Sequence, residues 1–225
     1  MTGMFGKKGG ADRNAHRALD RITDIIAALP DLSLERLVED NAALIVVDMI
    51  NGFVKKGALA SPNVLAINQR IADLTAACVR SGIPVAALAD CHTLSSPEFS
   101  VFPAHCLEGS EESELTDELR AAGRLTRIEK NSTNGMLEPQ LKEWIRDNGS
   151  GVYVIVGCCT DLCVQQLALT LKTVHDRKNS TSRIIVPSKC VATYSLGFHD
   201  AGLTGTMALY NMMVNGVELC ADIKY

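Results

Sequence analysis

Residues 157–164, GCCTDLCV, place three of the chain's eight cysteines within six positions. Sulfur at such density can serve as a disulfide partner, a metal ligand or a nucleophile. A structural zinc knot needs well-separated ligand pairs such as two Cys-x-x-Cys units, and the chain has none. A thiol redox centre needs a Cys-x-x-Cys pair at a helix start, which is also missing. Cys163 opens a helical pattern in which Val164, Leu167, Ala168, Leu171 and Val174 recur at spacings of three and four. Free N–H groups and the helix dipole at such a start lower a thiol's pKa, so Cys163 is expected to be the reactive thiol, with an enlarged thiolate fraction. Cys158 and Cys159, at a strand exit, read as packing or backbone contributors.

Other ionisable groups end apolar runs. ALIVVDMI (43–50) contains Asp48, IPVAALAD (83–90) ends at Asp90 with His92 two residues on, and RLTRIEK (124–130) ends at Lys130. Each alone has a structural explanation: an Asp after a strand caps turns, a strand-end Lys is usually solvated, and a lone His is usually a satisfied polar residue. Together with the cysteine turn they would gather an acid, a base, a thiol and a metal-binding set around one crevice.

The elements that must position these groups alternate. Runs rich in β-branched residues at 43–50, 83–90, 124–130, 151–157 and 183–187 read as buried strands. Between and after them, Ile67, Ile71, Leu74 and Cys78 share one helical face, and a last helical pattern runs through Ala208 and Met212. Alternating strands and helices predict an α/β fold: three layers, α/β/α, with a mostly parallel central sheet and ligands collecting beyond the carboxyl ends of the strands. Residues 14–29 predict an amphipathic helix with Ile22, Ile25, Ile26 and Leu29 on its apolar side, part of an N-terminal extension (1–40) ahead of the main domain (41–225). The KNSTS stretch near residue 180 reads as a surface loop.

Composition narrows the function classes. A 225-residue chain with 47% hydrophobic residues, 21% charged residues and a net charge of −4 lacks the basic surplus of a nucleic-acid binder. No apolar run reaches a membrane span, and the first ten residues lack the apolar core of a secretory signal. A cytoplasmic protein with no membrane partner is expected, its cysteines mostly free and buried.

The motifs VVDMINGF (46–53), ADCH (89–92), FPAHCLEGS (102–110), EKNSTNG (129–135) and VGCCTDLCV (156–164) resemble those of the isochorismatase-like cysteine hydrolases, and among them the nicotinamidases. That resemblance, spanning about residues 42–220, implies Cys163 as nucleophile, Asp48 as its proton acceptor and Lys130 as third member of a triad. It also implies a cis peptide at Cys158–Cys159 that turns the amides of Cys159 and Cys163 toward the substrate oxygen. Asp90, His92 and His105 match the family's metal ligands, with Glu98 as a fourth contact, direct or through water. This O/N set suits a divalent ion, zinc first and iron or manganese next, and no organic cofactor is required. Phe53 and Phe102 are expected to flank a flat substrate ring, Phe102 standing where the family usually has Trp. The resemblance thus implies a small-molecule amide substrate, nicotinamide first, and a homo-oligomer. Two other readings are another small-amide or ureido/carbamoyl amidase of the same superfamily and, in a different class, a non-catalytic scaffold of the same fold. Vinyl-ether hydrolysis of the isochorismatase kind needs neither the thiol nor the metal set.

Overall fold

The computed structural model describes residues 8–149 and 151–225, with side chains from residue 13 onward. Residues 1–7, the start of the expected extension, lie outside the described residues. In chain order the elements are α1 (Lys8–Ala27), β1 (Leu32–Ser33), α2 (Leu34–Glu39), β2 (Ala43–Val47), α3 (Asn51–Val54), α4 (Pro62–Arg80), β3 (Val85–Asp90), α5 (Asp117–Ala121), β4 (Thr126–Lys130), α6 (Pro139–Asn148), β5 (Val152–Cys158), α7 (Gln165–Arg177), β6 (Arg183–Pro187), β7 (Val191–Ala192), α8 (Ala201–Val214), β8 (Glu218–Cys220) and β9 (Ile223–Lys224).

The main sheet runs β4–β3–β2–β5–β6–β8 with every pair parallel, and β7 pairs with the end of β5. Parallel neighbours need crossovers, and here helices supply most of them. All five residues of β2 are buried, as expected of a central strand covered on both faces. Alternate residues feed two cores. Leu44, Val46, Val85, Ala87, Val154 and Val156 pack toward α4 through Ile71, Leu74 and Cys78. Ala43, Ile45, Val47, Leu88 and Ile155 pack toward α7 and α8 through Leu167, Leu171 and Met212. The three layers of the α/β/α expectation are therefore present.

From β2 the chain moves outward through β3 to β4, then returns to β5 on the other side of β2. The strand order reverses there, so the crevice beyond the carboxyl ends of β2 and β5 is where such a sheet takes a ligand.

Each of the five expected strands is found, with ends shifted by one to three residues for four of them, and β6 matches residues 183–187 as read. The sheet edge β8 and the two-residue strands β1, β7 and β9 carry too short a pattern to be read in advance. Helix α1 lies against α8, with Ile26 and Leu29 touching the second core and Ile25 half-exposed. Residues beyond α1 join the domain directly: β1 pairs with β9, and Leu34 and Leu37 of α2 are buried in the first core. Among the described residues, no helix is long and apolar enough to cross a membrane.

Candidate active site

Asp48 follows β2 with a positive φ of 54°, a conformation that costs a non-glycine residue about 1–3 kcal/mol and is retained where surrounding structure holds it. Three contacts hold it here. Its amide donates to Leu88 O at 3.0 Å, its Oδ1 accepts from the Asp90 amide at 3.1 Å, and its carbonyl accepts from the Cys158 thiol at 3.3 Å. Lys130 ends β4 and is buried, with Nζ 2.9 Å from Asp48 Oδ2, 3.6 Å from Cys163 Sγ and 3.2 Å from Ser132 O. The same ammonium is ion-paired with Asp90 Oδ1. Asp48 Oδ2 meets that ammonium as a buried ion pair. Reactive atoms of Asp48, Asp90 and Cys163 lie within 4.8 Å of one another. Three strand ends and one turn thus bring carboxylate, ammonium and thiol together, as the sequence reading required.

The turn that carries Cys163 differs from a plain helix start. β5 ends in a cis peptide at Cys158–Cys159, one turn of π-helix spans Thr160–Val164, and α7 begins only at Gln165. Gly157 makes the approach to this turn feasible: its φ is +118°, and a Cβ there would lie 2.8 Å from the Val47 carbonyl carbon and amide nitrogen, and closer still to the Val47 oxygen. Cys158 and Cys159 are buried in the core, matching their reading as packing residues.

One electrostatic expectation is overturned. The helix start was expected to lower the Cys163 pKa, but burial raises it well above the ordinary thiol value, and the opposing pull of Lys130 does not compensate. Desolvation penalises the charged form throughout the thiol, whereas the dipole of a helix that begins two residues later acts weakly. Cys163 therefore rests as a thiol and needs a base. Burial, reinforced by Asp90 and opposed by Lys130, raises Asp48 to about 7. Lys130 is a firm cation: burial would lower its pKa, but Asp48 and Asp90 together raise it well above normal.

Beside the triad, Asp90, His92 and His105 form a buried set whose ligand atoms all lie within 4.8 Å. His92 Nε2 is 3.5 Å from Asp90 Oδ1, and His105 Nε2 is 3.9 Å from Asp90 Oδ2. The far ring nitrogens are held from behind, His92 Nδ1 by Asn131 Oδ1 at 2.8 Å and His105 Nδ1 by Pro103 O at 2.8 Å. A carbonyl only accepts, so His105 Nδ1 donates to it and Nε2 is the nitrogen turned toward Asp90. His92 Nε2 is buried without a hydrogen-bond partner. An orphaned imidazole nitrogen facing a carboxylate, with its other nitrogen anchored, is the arrangement a divalent cation requires, and the residues fit one. Glu98 lines the same cavity from the turn Pro97–Ser100.

Asp48, Cys163, Glu98 and His105 meet Phe53 and Phe102 around one cavity. Both phenyl rings also pack on His105, at centroid distances of 5.7 and 6.3 Å. Sequence reading missed three contributors: Phe99, edge-on to His92 and His105; Asn131, behind His92; and Tyr194, a further wall of the cavity. Asn131 directly follows Lys130 within EKNSTNG, so its motif carried a signal. Tyr194 sits in an irregular loop after β7 and carried none.

A buried thiol, carboxylate and ammonium at the switch point of a parallel sheet, with a metal-competent set alongside, define a cysteine-hydrolase type of site. Residues 42–216 match the isochorismatase domain family, and the chain belongs to it. Among individual relatives, nicotinamidase 1 of Arabidopsis thaliana is 28% identical over 181 residues, 72% of this chain and 74% of that protein. The crystal structure of N-carbamoylsarcosine amidase from Thermoplasma acidophilum superposes with a TM-score of 0.65 at 28% identity, covering 80% of this chain and 95% of that one. The pyrazinamidase of Pyrococcus horikoshii, crystallised in complex with zinc, shares the fold with a TM-score of 0.65 at 22% identity, over 80% and 98% of the two chains.

Proposed function

We propose that the chain is a metal-containing cysteine amidohydrolase that converts nicotinamide and water to nicotinate and ammonia through a thioester on Cys163. The observation that carries this reading is the buried Lys130 ammonium, 2.9 Å from Asp48 and 3.6 Å from Cys163, two residues that themselves line a cavity walled by aromatic rings. The reaction follows from the protonation states. Asp48, its pKa raised by burial to about 7, takes the thiol proton as Cys163 Sγ attacks the amide carbon. Lys130 stays charged throughout and stabilises the anionic partners on either side of it. The amides of Cys159 and Cys163 are assigned to the developing oxyanion, where one good donor contributes about 3 kcal/mol. Asp48 returns its proton to the departing nitrogen, ammonia leaves, and water hydrolyses the thioester to release the acid and restore the thiol. Asp90, His92 and His105, with Glu98 nearby, would hold a divalent ion, zinc first. When bound, that ion supplies a Lewis-acidic anchor for the ring nitrogen of the substrate.

The decisive experiment measures ammonia release from nicotinamide by the wild type and by Cys163→Ala. Loss of turnover by Cys163→Ala with an unchanged fold is expected; turnover retained by a folded Cys163→Ala ends the nucleophile assignment. A second reading, hydrolysis of an N-carbamoyl compound, is favoured by the 28% identity to N-carbamoylsarcosine amidase over 95% of that chain. It uses the same triad and differs only in the pocket. Ammonia release from N-carbamoylsarcosine but not from nicotinamide or pyrazinamide selects it.

A further inference from the structure

Asp161 lies in the nucleophile turn, two residues ahead of Cys163, yet it takes no part in the contacts among Lys130, Asp48 and Cys163. Its partner is remote in sequence: Asp161 Oδ2 is 2.7 Å from His199 Nε2. The other ring nitrogen, His199 Nδ1, donates to the carbonyl of Tyr194 at 2.9 Å. The imidazole lies flat on the Tyr194 ring, with centroids 4.0 Å apart and planes 10° from parallel. Tyr194 is also a wall of the substrate cavity. One side chain therefore links the turn that carries the nucleophile to the loop that carries an aromatic wall.

The near side of the loop is held independently: Tyr194 packs on the first core, Asn63 Nδ2 donates to Thr193 O at 3.0 Å, and the Ala201 amide donates to Ser195 Oγ at 3.1 Å. The link therefore fixes the ring face of Tyr194 more than the loop as a whole. Residues 193–200 form no regular element beyond a bridge in which the Leu196 and His199 backbones exchange hydrogen bonds at 3.0 Å. Leu196 and Phe198 are exposed, so no apolar burial pins the tip of the loop. A cavity wall must keep a fixed distance from the reacting atom for a ring held against it to present its amide to the thiol, and a small displacement there is costly.

We propose that Asp161 and His199 are positioning residues that brace Tyr194 against the nucleophile turn, making Tyr194 the third ring of the substrate pocket beside Phe53 and Phe102. The role in binding an aromatic amide rests on the nicotinamidase reading; the brace itself rests on the geometry alone. Because Tyr194 touches the ring of the substrate and not its reacting carbon, the brace acts on binding more than on chemistry.

The test is steady-state kinetics on nicotinamide for His199→Ala, Tyr194→Leu and the double variant, together with a crystal structure of His199→Ala. His199→Ala is expected to raise KM about five- to tenfold, the effect of losing one aromatic contact, with kcat changed less than about twofold. The double variant is expected to be no worse than Tyr194→Leu alone, because both changes remove the same wall. An unchanged KM, a loss carried by kcat, or multiplicative effects in the double variant overturn the proposal. If His199→Ala fails to fold, His199→Gln takes its place with the same readings. If the wild type turns over no nicotinamide, the functional reading falls, and the crystal structure alone judges the brace. Tyr194 displaced from the cavity upholds it, and Tyr194 unmoved overturns it.

Discussion

Gly157→Ala tests how the sheet sets the spacing of the triad. Gly157 and Val47 are register partners on β5 and β2, and each is followed directly by site residues, Asp48 on one side and the Cys158–Cys159 peptide on the other. A Cβ at 157 would lie 2.8 Å from two Val47 backbone atoms and closer still to the Val47 oxygen, so ordinary contact at about 3.5–4 Å requires the two strand ends to part by more than about 1 Å. Crowding of this kind costs about 1–3 kcal/mol, and the positive φ adds about 1–3 kcal/mol for a residue with a side chain. In a chain of this length the sum lowers Tm by about 5–20 °C. Because a reacting group misplaced by about 1 Å can lose about a hundredfold in rate, kcat/KM for ammonia release should fall at least that far. Gly82→Ala is the control: its φ is +77° and a Cβ there meets nothing within 4 Å, so it carries the backbone strain without the crowding and should leave kcat unchanged. A Gly157→Ala protein with kcat/KM within about threefold of wild type would show that contact between β2 and β5 does not hold Asp48 at its distance from Cys163.

Three other expectations follow from the site and its frame. Asp48 must be ionised to take the thiol proton, and burial raises it to about 7, so kcat/KM should climb as pH rises through that region; a limb centred near the ordinary carboxylate value of about 4 refutes the assignment. Removal of the divalent ion by a chelator, verified by elemental analysis, should raise KM for nicotinamide and be reversed by adding zinc. Unchanged kinetics in a verified metal-free protein reduce Asp90, His92 and His105 to a structural role. Arg183 pairs with Glu218 through two contacts of 2.8 Å and also with Asp40, tying β6 to β8 and to the end of α2. Arg183→Met should lower stability by about 1 kcal/mol, less at high salt, as read by denaturant midpoints, and an equal loss at all salt concentrations argues against an electrostatic origin.

What could be read in advance divides along a physical line. Central strands such as ALIVV and VYVIVG are buried on both faces, so their continuous apolar runs announced them, and the groups at their ends followed from the topology of a parallel sheet. The edge strand β4 was found where 124–130 was read, but not as the buried strand expected: Thr126, Arg127 and Glu129 are exposed, and only Ile128 and Lys130 mark its inner face. Strands of two residues have no period to detect. Within the site, Asp48, Lys130 and Cys163 lie in motifs, whereas Tyr194 and His199 act from a loop whose conformation depends on a carboxylate more than thirty positions away. The thiol's resting state was misread for a related reason. Proximity to a helix start is a local property visible in sequence, but desolvation is set by every element that closes over the group. Cys163 keeps 6% of its surface exposed, beneath cavity walls supplied by four separate loops. Burial of that extent outweighs a nearby cation, so the same packing that makes the site water-poor also withholds the thiolate until a neighbouring carboxylate removes the proton. The proposed mechanism gives that role to Asp48, whose own proton affinity the same burial has raised. A carboxylate whose proton affinity burial has raised is a better acceptor for the thiol proton than a solvated one, which would leave that proton on sulfur.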